Sequence, residues 1–265
     1  MRRTIIIATA ALAVLVAAGS ALAAGSFNTY GAQHSFAPGK AGTPNNAVPI
    51  SFTQTLSANG TSGHRAAPLT RLTSTLYGLR TNGKYFPTCS MATIGNPAHL
   101  YDKACPKGSL VAQGPVTALL GPATDGSASK QSPCNPYLKV YNSGQGKVTF
   151  FFNIAPPKYT CATLSTGASA PYPGTLKVQG KNLVLDVVLP PDVSTKAGNL
   201  PGVYASLIHY TLKWSKLTTK VHGKTVGFIE SIGCKAGKRP WSQGFTATNF
   251  GGGSGSGTVA GSAKC

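Results

Sequence analysis

Apolar side chains recur at every second residue along much of this chain, and no window of a dozen residues carries the 3.6-residue period of an amphipathic helix. Val48, Ile50, Phe52 and Leu56 take even positions while Ser51, Thr53 and Thr55 take odd ones, as a strand buried on one face requires. Val148, Phe150, Phe152 and Ile154 repeat the pattern, and Ile208, Tyr210, Leu212 and Trp214 do so against His209, Thr211, Lys213 and Ser215. The run LVLDVVL, residues 183–189, is apolar on both faces except at Asp186, which predicts a more central strand. Between such runs, NSGQGK, VQGKNL and VHGKTV place glycine where a hairpin needs positive φ. The reading is an all-β fold, an antiparallel two-sheet β-sandwich, immunoglobulin-like or similar, with long connections. One short helix is expected near residues 96–104, with Asn96 placed to cap it and Pro97 at its first position.

The chain opens with Arg2 and Arg3, an apolar run from Ile5 through Val16, and small residues ending in the A-x-A pattern Ala21, Leu22, Ala23. These are the parts of a cleaved signal peptide, residues 1–23, and they predict a secreted or cell-envelope protein without a transmembrane domain after cleavage. Residues 24–46, small, polar and broken by Pro38 and Pro44, are expected to form a flexible N-terminal arm. Residues 47–265 make up the β-sandwich domain. Six cysteines remain, Cys89, Cys105, Cys134, Cys161, Cys234 and Cys265. In an oxidising compartment an even number favours disulfides, and of the 15 complete pairings the economical one joins sequence neighbours, 89 with 105, 134 with 161 and 234 with 265.

The stretch FPTCSMATIGNPAHLYDKACPKGSLVAQG, residues 86–114, holds Cys89, His99, Asp102 and Cys105. The last three fall at helical spacing, but the two close Cys or His pairs of a structural zinc site are absent, and the reading is a staple with no metal or cofactor. The segments FPTCS (Phe86 to Ser90) and CPKGSLVxxG (Cys105 to Val111, with Gly114), the later hairpin strands and the terminal Cys265 together resemble a group of secreted bacterial β-rich proteins to which no activity is attached. The resemblance covers most of residues 47–265 and implies export and β architecture.

No C-x-x-C, G-x-S-x-G, Walker or G-x-G-x-x-G pattern occurs, and GGGSGSG near the C-terminus is read as a loop. Removing Arg2 and Arg3 with the leader leaves 22 of the 24 basic side chains against 5 acidic ones, a net charge of +17. The acids are Asp102, Asp125, Asp186, Asp192 and Glu230. The densest basic stretch contains Lys213, Lys216, Lys220, Lys224, Lys235, Lys238 and Arg239 against Glu230 alone. If these side chains gather at one end of the domain, they form a patch for an anionic envelope polymer or phospholipid headgroups. The expected function is non-catalytic, structural or polyanion-binding. The alternatives are a secreted hydrolase of envelope polysaccharide using a pair of the five carboxylates, and nonspecific nucleic-acid binding.

Overall fold

The computed structural model describes residues 21–24, 27–61, 63–99, 101–122, 131–154, 159–161 and 168–265, so most of the expected signal peptide lies outside the described residues. The strands are β1 (Ala21–Ala24), β2 (Asn28–Ala37), β3 (Val48–Pro49), β4 (Ser51–Gly60), β5 (Leu69–Tyr77), β6 (Leu79–Thr81), β7 (Leu110–Pro122), β8 (Ser132–Asn135), β9 (Tyr137–Asn142) and β10 (Lys147–Asn153). They continue with β11 (Thr160–Cys161), β12 (Tyr172–Gln179), β13 (Asn182–Val188), β14 (Val203–Trp214), β15 (Thr218–Val221), β16 (Lys224–Gly227), β17 (Ile229–Ser231), β18 (Lys238–Thr248) and β19 (Ser254–Lys264). The protein is all-β, as its alternating pattern predicts.

One antiparallel sheet runs β1-β2-β4-β14-β7-β9-β10-β12-β13-β5-β18-β19, with β8 on β7 and β11 on β8. It curls until β19 packs against β1 and β2, so the sheet is nearly closed around one apolar interior. Two small sheets, the hairpin β15–β16 and the trio β3-β17-β6, lie at the end where β14 leaves and β18 enters. The hairpins read from NSGQGK, VQGKNL and VHGKTV all form, as β9–β10, β12–β13 and β15–β16. Gly146, Gly180 and Gly223 have φ of 71°, 59° and 77°, the left-handed region that glycine enters without strain. No helix among the described residues is long and apolar enough to cross a membrane.

Two expectations are corrected by the structure, the loose arm and the position of the helix. Residues 28–37 are not a loose arm: β2 pairs with β4 from Asn28↔Gly60 to Ala37↔Ser51, and Tyr30, Ala32 and His34 point inward. The inward face escaped notice because it carries a polar His34 and a small Ala32 between its rings. LVLDVVL is the central strand its apolar run predicts, paired on both sides with β12 and β5; Leu183, Leu185 and Val187 are buried, while Val188 is exposed and Asp186 lies on the outer face with Arg71. The helical turn lies upstream of the expected span, at α1 (Met91–Ile94), where the Ser90 hydroxyl accepts from the Thr93 amide. Residues 97–99 and 101–104 form only 3-10 turns, and the Asn96 side chain accepts from the Ala98 amide at the first of them.

All three disulfides join the sequence neighbours: Cys89–Cys105 around α1 and its 3-10 turns, Cys134–Cys161 across β8 and β11, and Cys234–Cys265 between the turn before β18 and the C-terminal residue. Such bonds fit an oxidising, extracellular environment. The Cys234–Cys265 bond also fixes what the terminal glycines do. They form a tight turn at residues 249–253 and then β19 itself, paired with β18 at eleven positions from Lys238↔Lys264 to Thr248↔Ser254. Glycine is required at Gly261, where a Cβ would stand 2.4 Å from Cζ2 of the buried Trp241. Gly261→Ala is expected to lower stability by about 1–3 kcal/mol through overpacking. Gly244→Ala on the adjacent strand, whose Cβ would meet nothing closer than 3.7 Å, is the matched control in thermal unfolding.

Candidate functional site

Antiparallel pairing places the basic residues. At β14, Trp214 pairs with Phe52 of β4 and Ala112 of β7, so Lys213 lies at the end of the sheet from which the chain runs into the β15–β16 hairpin. Lys216 follows β14, and Lys220 and Lys224 flank the hairpin tip at His222 and Gly223. Lys235 and Lys238 pair across the turn that feeds β18, beside Lys264. These six predicted lysines are all exposed and all belong to one end of the molecule.

Arg239 does not join them. It is 1% exposed and points into the interior, where its guanidinium donates to the carbonyls of Tyr77 and Gly78, each at 2.9 Å, and to the Ser231 hydroxyl at 2.7 Å. It also lies 5.0 Å from the centre of the Phe36 ring. The alternation of β18 explains this: Arg239 shares the inward face of Trp241, Gln243 and Phe245. Desolvation lowers its pKa to about 10, which leaves it charged at neutral pH without a carboxylate partner.

Sequence reading missed other members of the same end. Gly-Lys occurs six times, at residues 39–40, 83–84, 146–147, 180–181, 223–224 and 237–238. Every one of these lysines is exposed. Residues 146, 180 and 223 belong to hairpin turns, 237 belongs to the turn before β18, 83–85 forms a 3-10 turn, and Gly39 lies against Cys265. Cross-contacts place these turns at the same end as Trp214: the Lys84 amide donates to Gln145, the Gly78 amide to the Lys181 carbonyl, and the Ser215 amide to the Val111 carbonyl. The repeat was available in the sequence as a signal, but only strand direction reveals that all six Gly-Lys pairs, five of them at turns, lie at one end.

Glu230 is the acid set among these lysines, and it is 2% exposed. Its carboxylate accepts from Arg80 Nε at 2.8 Å, Asn82 Nδ2 at 2.9 Å and the Gly227 amide at 2.9 Å, so its charge is taken up inside the β3-β17-β6 sheet. Two other carboxylates are likewise engaged. Asp186 is held by Arg71 through two 2.7 Å bonds and by Thr73, and the Arg71 bond depresses its pKa. Asp102 accepts from Lys139 and from the Tyr141 hydroxyl. Asp192 alone makes no ion pair among the described residues, and Asp125 lies outside them. The three engaged acids thus stand on separate elements rather than as a pair across a cleft. Among the described residues no three His, Cys, Asp or Glu side chains are grouped as a metal site, and Cys89 and Cys105 are bonded to each other.

The arrangement presents lysine ammonium groups to solvent at one end, where among the described residues no Asp or Glu side chain is exposed. Fields from such charges add locally and raise the concentration of a polyanion there. The chain matches no family model, and it is similar to no curated protein and no solved structure.

Proposed function

We propose that this is an exported, non-catalytic protein of the cell envelope or medium that binds an anionic polymer through its lysine-rich end. The observation that carries the reading is the repeated Gly-Lys pair: six exposed lysines, five at turns and Lys40 in the segment that follows β2, which the sheet directs to one end. Turn glycines keep these loops short, so the ammonium groups are held near one another with little ordering left to occur on binding. Lysine acts here as a point charge, which suits a flexible chain of phosphates or carboxylates better than a single planar anion.

The test compares two variants of equal net charge. Lys224→Glu reverses a charge on the lysine-rich end, and Lys196→Glu does so in the 3-10 region at the other end. Each lysine near an anionic surface contributes about 1 kcal/mol, so reversing Lys224 should weaken binding by about tenfold or more. Lys196→Glu should change it much less. Cosedimentation or fluorescence anisotropy with long-chain polyphosphate, phosphatidylglycerol vesicles and duplex DNA, each at low and moderate salt, reads the effect. Polyphosphate binding that falls steeply with salt and depends on Lys224 is the expected result. Preference for vesicles would reassign the partner to a headgroup surface, and preference for DNA to nucleic acid. Equal losses in the two variants would mean that net charge alone attracts polyanions.

A further inference from the structure

Away from the lysine-rich end, the rolled sheet encloses a cavity of about 100 Å³. Its wall is aliphatic and aromatic, built by Leu69, Val116, Leu138, Phe150, Leu185 and Leu212 from β5, β7, β9, β10, β13 and β14. Packed interiors leave few voids larger than a water molecule, and lining atoms without partners lose dispersion contacts. A cavity of somewhat larger size, about 150 Å³, stays dry and takes up benzene. Several lining side chains, among them Leu72, Phe152, Val193 and Leu207, are only partly buried although they face inward. The rim is formed by the 189–197 segment, carrying Leu189, Asp192, Val193 and Ala197, and by the Cys134–Cys161 disulfide.

Besides Ser74 and Ser169, whose hydroxyls are hydrogen-bonded, three polar side chains line this apolar space, Tyr172, Asp192 and Tyr210. Tyr172 and Tyr210 line it and are 4% and 6% exposed. Neither hydroxyl makes a hydrogen bond to a described residue, and neither oxygen is sealed from open space. Buried phenols ordinarily find a partner. Tyr172 is close enough to sense both Tyr210 and the Asp192 carboxylate, whose own pKa is raised by burial. The group thus combines two unpartnered donor-acceptor hydroxyls with one carboxylate at the rim, at the edge of a ring-sized apolar chamber. An apolar pocket with a few converging polar groups and perturbed titration is the ordinary form of a small-molecule site.

We infer that this cavity binds a small uncharged amphiphile: an apolar body of about one ring, bearing a hydroxyl that donates to Asp192 and accepts from Tyr172 or Tyr210. No cation lines the chamber to receive an anion, and Asp192 repels one. A cationic ligand would have to give up its hydration to the apolar wall. The site is separate from the lysine-rich end and does not depend on the function proposed for it.

The probes are p-cresol, toluene and 4-methylbenzoate, which share a ring and differ in the polar group. Calorimetry or ligand-observed NMR, with thermal unfolding in parallel, reads binding to the full protein. Wild type is expected to bind p-cresol at least tenfold more tightly than toluene, because a site that hydrogen-bonds a hydroxyl discriminates against the analogue lacking it. It should not bind 4-methylbenzoate measurably. The double variant Tyr172→Phe/Tyr210→Phe should bring p-cresol to within about threefold of toluene while leaving toluene binding unchanged. Ala118→Leu, which extends a side chain into the chamber, should abolish binding of both without lowering the unfolding temperature. Ala205→Leu serves the same purpose if the first variant is unstable. Failure of wild type to bind any probe, equal affinity for p-cresol and toluene, or undiminished binding in a folded cavity-filled variant would each overturn the inference.

Discussion

Arg239→Ala should destabilise the protein by about 2–4 kcal/mol, while Lys238→Ala, one residue away, should change stability by no more than about 0.5 kcal/mol. The contrast follows from direction along β18. Lys238 is exposed, whereas Arg239 supplies the donors for two backbone carbonyls at the junction of β5 and β6, Tyr77 and Gly78, and for Ser231 of β17. The Gly78 carbonyl also accepts from the Ile232 amide at 2.8 Å, so the guanidinium ties the end of β5, the start of β6 and β17 together at one buried point. Truncation removes three buried charge-assisted hydrogen bonds and opens a void beside Phe36. Arg239→Lys should recover only part of the loss, because one ammonium cannot reproduce the planar fork that reaches three acceptors. Urea unfolding at neutral pH measures all three variants. An Arg239→Ala midpoint equal to that of Lys238→Ala would contradict the assignment.

Stability should also fall as the solution is acidified from about pH 6.5, at up to about 1.4 kcal/mol per pH unit, and His34 should be the cause. His34 is 1% exposed, has no hydrogen-bond partner on either ring nitrogen, and packs 4.8 Å from the Trp241 ring centre, opposite Gln54 of β4. Desolvation lowers its pKa from 6.5 to about 3. Between those values the unfolded chain takes up a proton that the folded protein refuses, so stability is present above pH 6.5 and is lost as pH falls toward 3. The two shifted acids act elsewhere or oppositely. Asp186, depressed by Arg71, adds its loss only at lower pH, and Asp192, raised by burial, becomes easier to protonate in the fold. In the window from pH 6.5 to 4.5, a His34→Leu variant should therefore show a nearly flat stability profile where wild type slopes. Parallel profiles would exclude His34 as the source.

The elements legible in the sequence are those whose faces differ sharply. β4, β14 and the three glycine-turn hairpins were readable because Phe52, Leu56, Tyr210 and Trp214 alternate with Thr, Ser and Lys. β2 was not, because NTYGAQHSFA buries Asn28 and His34 as well as Tyr30. Asn28 satisfies itself by exchanging bonds with the backbone of Ala67 across the interior, a partner that local pattern cannot supply. Spacing left fifteen disulfide pairings open, and the bonds formed are the economical ones between sequence neighbours. At the lysine-rich end, residue type was readable and direction was not: Arg239 and Lys238 look equivalent until the phase of β18 is known. The cavity had no local signal, since its walls come from strands far apart in the chain and its polar groups, Tyr172, Asp192 and Tyr210, fit equally well in a solid core.

The near-closure of the sheet by β19 against β2 has a consequence for how the molecule can be made. The seam joins segments that begin at Asn28 and end at Lys264, and β14, which follows most of the chain, inserts between β4 and β7. A nascent or partly delivered chain that ends before β14 would therefore present β4, β7 and β5 as open edges, and one that lacks only β19 would present β18, each able to pair with another chain. Contacts this distant in sequence form slowly, because loop-closure entropy must be overcome before they stabilise anything. The Cys234–Cys265 bond can form only after β19 has been made, so oxidation of that pair follows the strand that closes the seam. A cell that produces this protein must keep it from aggregating for the whole of that interval, which makes its synthesis sensitive to any truncation at the C-terminus.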